Sequence, residues 1–229
     1  KRMAIRMGEA VPDAETLDVP GTIIPLTDLP HNHTAIEYLT GRGFDIRELS
    51  EVYKVGFCVE APHRYRHMNN RIYIPSYFNG RLVAFQGRNV RSVGKDPMKY
   101  YTQGKKSRAL YNYDIAANQN FAVVVEGCPS VWRIGQHAVA LLGNTLSFWQ
   151  QNTIATTWAG KPVFVVLDFG ADRELENVTM QLCQHNVRLI PMIMPDERDP
   201  ADYSRADFRD LLSAAAASVG VDVDLSSLR

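Results

Sequence analysis

Continuous apolar runs separated by stretches of helical spacing fill the second half of this chain. Phe121–Val125, Pro162–Leu167 and Val187–Met194 are each short and rich in branched residues. Such runs predict strands buried on both faces, as in a parallel sheet. A shorter strand is predicted over 138–142. Helices are predicted over 130–136, 147–157 and 173–185, with a last one over 204–218. Alternation of this kind is the doubly wound α/β layout.

The first half follows another pattern. Residues 1–30, with Pro, Gly and Thr and little periodicity, predict an extended lead-in. Ala35, Ile36 and Leu39 fall at helical spacing from His33, and Gly41-Arg42-Gly43 offers a left-handed stop. A second helix is predicted over 46–53. Strands follow from 55 to 90. Arg71–Phe78 and Arg81–Gln86 flank Asn79-Gly80, a pair that tolerates the positive φ angles of a tight hairpin turn. Residues 91–108 predict a cation-rich loop, and 110–117 a short helix.

Composition narrows the class. At 229 residues, 45% hydrophobic and 22% charged, the chain can bury the core of one large or two small domains. No apolar run reaches the roughly 18 residues that span a bilayer, and no signal peptide opens the sequence. A cytoplasmic protein without a membrane partner is expected. The first residue is Lys1 rather than Met, as in an interior piece of something longer. Cys58, Cys128 and Cys183 form no Cys-x-x-Cys pair, which excludes a zinc ribbon or disulfide framework within the chain.

The net charge of zero conceals a division. Residues 42–113 carry 14 Lys and Arg against 5 Asp and Glu, whereas residues 114–229 carry 8 against 14. A basic half beside an acidic half suits an enzyme that attracts phosphate with one and holds cations with the other. The acids fall at strand ends, where ligands bind in open α/β sheets. Glu126 follows the first apolar run, Asp168 the second, and Asp196-Glu197-Arg198-Asp199-Pro200-Ala201-Asp202 the third. Carboxylates at three strand ends suggest a divalent metal site. The competing reading is acids favoured near helix N-termini by the macrodipole, an even match for Asp172 and Asp202. His31-x-His33 and His63-x-x-x-His67 lack partner ligands, Cys128 lacks a catalytic His-Asp pair, and Gly104-Lys-x-Ser lacks the upstream glycine of a P-loop.

Val125-Glu126-Gly127, then Ala140-Leu-Leu-Gly143-Asn-Thr145, then a strand ending in Asp168, then Asp199-Pro200-x-Asp202 resembles the Toprim domain. The upstream half resembles the RNA polymerase domain of DnaG-type primases. It carries Tyr38-Leu-Thr-Gly-Arg42-Gly43-Phe44, Val55-Gly56-Phe57, Arg71-Ile-Tyr-Ile-Pro75, Asn79-Gly-Arg81 through Arg88, Met98-Lys99-Tyr100 and Lys105-Lys106-Ser-Arg-Ala-Leu110-Tyr111. The ordered series covers roughly residues 33–210.

The resemblance implies an α/β fold in which a Toprim-like parallel-sheet lobe follows a mixed α+β basic N-terminal lobe. The boundaries it implies are 1–118, 119–203 and a helical tail over 204–229. It implies synthesis of short RNA primers on a single-stranded DNA template from ribonucleoside triphosphates, with Mg²⁺ or Mn²⁺ as cofactor. A zinc-ribbon domain lying outside this chain and a replicative helicase are the partners it suggests. Glu126 and Asp168 would be catalytic. The metal set would be Glu126, Asp168, Asp172, Asp199 and Asp202. Arg42, Arg88, Lys99, Lys105, Lys106 and Arg108 would line the template and nucleotide groove, with Tyr100 and Tyr101 as stacking surface. Three carboxylates of the family pattern are out of register, where this chain has Ser130, Gly170 and Ala201. The alternative is therefore a degenerate Toprim module that binds single-stranded DNA or a replication partner without priming.

Overall fold

The computed structural model describes residues 15–90 and 98–228. Its first sheet is antiparallel and runs in sequence order: β1 (Thr22–Pro25), β2 (Gly56–Glu60), β3 (Arg71–Phe78), β4 (Arg81–Arg88) and β5 (Tyr100–Gly104). The β3–β4 hairpin turns at Asn79 and Gly80, with φ of 51° and 74°, where the sequence predicts it. The Asp114 carboxylate accepts both turn amides, Asn79 N at 2.7 Å and Gly80 N at 2.8 Å. Two helices, α1 (Thr34–Gly41) and α2 (Ile46–Glu51), precede β2. Their first turns are capped by His33 Nδ1 and the Asp45 carboxylate.

Three sequence expectations need correction in this lobe. The lead-in over 1–30 is not wholly extended coil, because residues 22–25 add β1 to the sheet edge; residues 1–14 lie outside the described ones. The cationic loop over 91–108 is shorter than predicted. Residues 91–97 lie outside the described ones, and Tyr100–Gly104 pairs antiparallel with β4, setting Tyr100 opposite Arg88. The short helix shrinks to α3 (Tyr113–Ala116). Tyr111 instead exchanges backbone hydrogen bonds with Ala140, and Asn112 at φ 66° breaks any helix begun earlier.

The second sheet is parallel, in the order β7 (Ala138–Ala140), β6 (Ala122–Val125), β8 (Pro162–Val166), β9 (Arg188–Met192). The chain leaves β6 to one side and returns on the other, so the strand order reverses around β6. A crevice forms at the carboxyl ends at such a switch point. β6 and β8 are buried throughout, as their apolar runs predict. β9 is not. It sits at the sheet edge with Arg188 and Pro191 exposed, and an edge strand tolerates a proline that cannot donate to a ladder.

Four helices complete this half: α4 (Cys128–Ile134), α5 (Phe148–Thr157), α6 (Asp172–Leu182) and α7 (Arg205–Ser218). α4 begins two residues earlier than predicted, with Pro129 near its start and Gly135 at φ 104° ending it. α5 opens with a reciprocal capping box between Ser147 and Gln150. One apolar core runs through both sheets, joining Leu39 and Ile72 to Val123, Phe164 and Phe208. Trp132 Nε1 donates to the buried Tyr111 hydroxyl at 2.7 Å across the junction. Among the described residues no helix is long and apolar enough to cross a membrane.

Candidate nucleotide and nucleic-acid cleft

Glu126 and Asp168 leave the carboxyl ends of β6 and β8, which are hydrogen-bonded neighbours. The pairing brings the two acids together, and the Asp168 backbone N–H donates to Glu126 Oε1 at 3.0 Å. Both line a cleft of about 310 Å³, with Asp199 beside them. That volume lies at the lower end of the roughly 300–1,000 Å³ typical of small-molecule sites. Burial pushes the Asp168 carboxyl up to about 6, helped by the charges of Glu126 and Asp199 and opposed by Lys99. Glu126 is raised for the same first reason, and the Asp168 amide partly offsets it. Carboxylates crowded and desolvated in this way favour a neutralising cation.

The other predicted acids are placed differently. Asp202 sits at the mouth, paired with Arg42 at 3.0 Å. Asp172 starts α6 and lines a separate shallow depression. Asp196 is occupied by Arg198 and the Tyr203 hydroxyl, which hold it well below the usual carboxylate range. Glu174 acts electrostatically on Glu126; no strand end marks it in the sequence.

The same lining is also cationic. Arg42, Arg88, Lys99 and Lys106 belong to it, together with Tyr100. The Arg88 guanidinium lies between two rings, 4.8 Å from the centre of Tyr100 and 5.2 Å from that of Tyr38. Its Nε and Nη1 are buried without a hydrogen-bond partner. A guanidinium on the cleft lining with two donors unmet within the protein is suited to an anion. Lys105 and Arg108 belong to the same turn but not to the cleft lining. Tyr101 alternates to the opposite face of β5, against His67. Tyr38, the second ring against Arg88, opens one of the motifs of the resemblance but is not among the expected site residues.

Arg133 ties two parts of the lining together. Its Nη2 donates to Arg42 O at 2.8 Å and its Nε to Ala201 O at 2.9 Å, so one side chain holds both loops. Leu142, on the cleft lining, is held at φ 61°. A branched apolar residue in that region is strained by roughly 1–2 kcal/mol, and its neighbour Gly143 N–H bonds Glu126 O at 3.2 Å. Cys128 is fully buried against Gln86, and burial pushes its thiol far above the ordinary range; it packs rather than reacts.

Among the described residues no group of three or more His, Cys, Asp or Glu side chains is arranged to hold a metal ion. The Glu126–Asp168 pair fits a narrower role. Mg²⁺ typically takes one or two carboxylates and fills its shell with phosphate oxygens and water. Hard oxygen donors with raised pKa values match that chemistry; a protein-only cage does not.

An antiparallel sheet joined to a parallel four-stranded sheet, with acids and cations meeting at the switch point, defines a two-sheet mixed α/β core. Compared with solved structures, it is the fold of the DnaG primase catalytic core. The chain aligns with the zinc-binding and RNA polymerase domains of Aquifex aeolicus primase at 21% identity and a TM-score of 0.68, over 82% of this chain and 56% of that one. It aligns with the Mycobacterium tuberculosis RNA polymerase domain, solved with a DNA duplex bearing a 6-nucleotide overhang, at 19% identity and a TM-score of 0.65. That match covers 84% of this chain and 75% of the other. A DnaG catalytic domain bound to single-stranded DNA aligns at 20% identity and a TM-score of 0.66, over 86% and 74%. No protein-family model and no curated protein matches the sequence.

Proposed function

We propose that this chain is a primase catalytic core that makes short RNA primers on single-stranded DNA by nucleotidyl transfer. The observation that carries the reading is that the Glu126–Asp168 pair and the cations Arg88, Lys99 and Lys106 line one cleft. Joining two nucleotides requires a hydroxyl, an α-phosphate and a departing pyrophosphate to be held in line while negative charge is neutralised. Arg88, Lys99 and Lys106 would bind phosphate oxygens, and Arg42 would add a fourth cation at the mouth. Glu126 and Asp168 would hold a Mg²⁺ or Mn²⁺ ion, which supplies Lewis-acid polarisation of a phosphate oxygen. Asp199 would add charge to that pair. Tyr100 would offer a ring face beside the phosphate-binding fork. The similar catalytic domains solved with DNA bound support a nucleic acid as ligand.

A second reading has its own observation. Acids are replaced at Ser130, Gly170 and Ala201, and no three-ligand cluster is formed among the described residues. On that reading the cleft binds single-stranded DNA without priming. Incubation with a single-stranded template, ribonucleotides and Mn²⁺ separates the two. Product that disappears in Glu126→Gln supports catalysis; template binding without product from the unsubstituted chain supports the binding module.

A further inference from the structure

β8 and β9 run parallel and adjacent, so the residues after them emerge side by side at the carboxyl end. Those residues include Phe169, directly after Asp168, and Ile193. Phe169 is 51% exposed and Ile193 68% exposed, and both are large apolar side chains. Gly170 at φ 82° turns the chain immediately after Phe169. Phe169 and Ile193 line one shallow depression with Asp168 and Asp172. Asp168 lines both this depression and the main cleft, so Phe169 lies one residue from the cleft lining.

The surroundings select what could cover this rim. Backbone phosphates are drawn to Arg88, Lys99 and Lys106 on the cleft lining, whereas Phe169 and Ile193 offer nothing to an anion. A single strand has an anionic edge and an aromatic edge, and this cleft has a cationic wall and an apolar rim. The two match when the backbone follows the cations and bases turn toward the residues after β8. We propose that Phe169, backed by Ile193, is a stacking platform for an unpaired base of a single-stranded nucleic acid lying in the cleft. The inference rests on the reading of the cleft as a single-strand site. Stacking of a base on an aromatic side chain is sequence-tolerant, because every base presents a π face.

The test compares two labelled oligomers of equal length, oligo(dT) and an abasic phosphodiester, by fluorescence anisotropy at several salt concentrations. Phe169→Ala is expected to weaken oligo(dT) binding about tenfold, within the range for loss of one stacked base. Abasic binding and the salt dependence of both oligomers should stay as in the unsubstituted chain. Phe169→Trp should restore oligo(dT) affinity, whereas Phe169→Leu, apolar but without a π face, should not. Equal loss for both oligomers overturns the proposal, as does full rescue by leucine. Unchanged binding of both, the outcome expected if a protein segment covers the rim, overturns it too. If Arg88→Ala loses affinity while Phe169→Ala does not, only the platform is wrong. If the unsubstituted chain holds neither oligomer, the cleft reading falls and the platform with it.

Discussion

Replacing Arg88 with alanine isolates the basic wall. In the free protein the guanidinium is stacked between Tyr38 and Tyr100 while two of its nitrogens are buried without partners. Each ring contact contributes about 0.5–2 kcal/mol, and each unmet buried donor costs about 1–3 kcal/mol. The two effects oppose each other, so Arg88→Ala should leave the unfolding free energy within about 1 kcal/mol of its starting value. Binding is different. A phosphate oxygen reaching the Arg88 guanidinium from the cleft would form charge-assisted hydrogen bonds of about 1.5–3 kcal/mol. Their loss corresponds to roughly a 10- to 150-fold weaker complex. Losing one phosphate contact to a single strand should also make the plot of log affinity against log salt shallower by about 0.7. Anisotropy of labelled single-stranded DNA between 50 and 200 mM salt, paired with urea unfolding, reads both quantities. Arg88→Lys should restore the slope but only part of the affinity, because an ammonium lacks the planar fork. If Arg88→Ala changes neither affinity nor slope, the anion-receptor argument is wrong.

Further expectations concern the fold and its junction. Arg133→Met should separate the Arg42 loop from the Ala201 loop, weakening single-strand binding several-fold; Arg133→Lys should recover little, since the contacts are to carbonyls on two different loops. Asp114→Ala removes the acceptor for both hairpin-turn amides and should cost about 1–2 kcal/mol in urea unfolding, because the site is open to water. His137 governs an acid transition. It is 3% exposed, stacks on Phe121 at 4.1 Å, and burial lowers its pKa to about 4. The unfolded chain therefore takes up the proton first, near the ordinary value of about 6.5. Stability linked to this group is complete above about pH 6.5 and lost as pH falls toward 4, by roughly 3 kcal/mol in total. The difference in unfolding free energy between the unsubstituted chain and His137→Gln should narrow across that window. A constant difference refutes the assignment.

The strand core of the parallel sheet is legible in the sequence because burial on both faces leaves no room for polar residues. β6 and β8 are apolar at every position for that reason. The edge strand β9 was harder to read: an apolar run interrupted by Arg188 and Pro191 has the composition of a core strand but half its burial. β5 was missed because five residues carrying two tyrosines and a glycine beside a run of cations resemble a loop. What makes them a strand is the ladder offered by β4, a partner contributed from elsewhere in the chain.

The same distinction divides the candidate site. Glu126 and Asp168 follow adjacent buried strands, so the sheet pairing that the pattern implies also brings them together. Asp199 and Asp202 bracket a single 3-10 turn, Pro200–Asp202, to which Arg133 and Arg42 reach from other elements. Spacing alone cannot rank two acids three residues apart. The fold does so, because Asp202 pairs with Arg42 at the mouth while Asp199 lies on the lining with the other two. Asp172, about one helical turn on from Asp168 and the first residue of α6, lies beyond the Gly170 bend in the depression beside Phe169. Asp172 is absent from the cleft lining that holds Glu126, Asp168 and Asp199. Catalysis by this core would then depend on substrate phosphates to complete the shell of any cation held by Glu126 and Asp168.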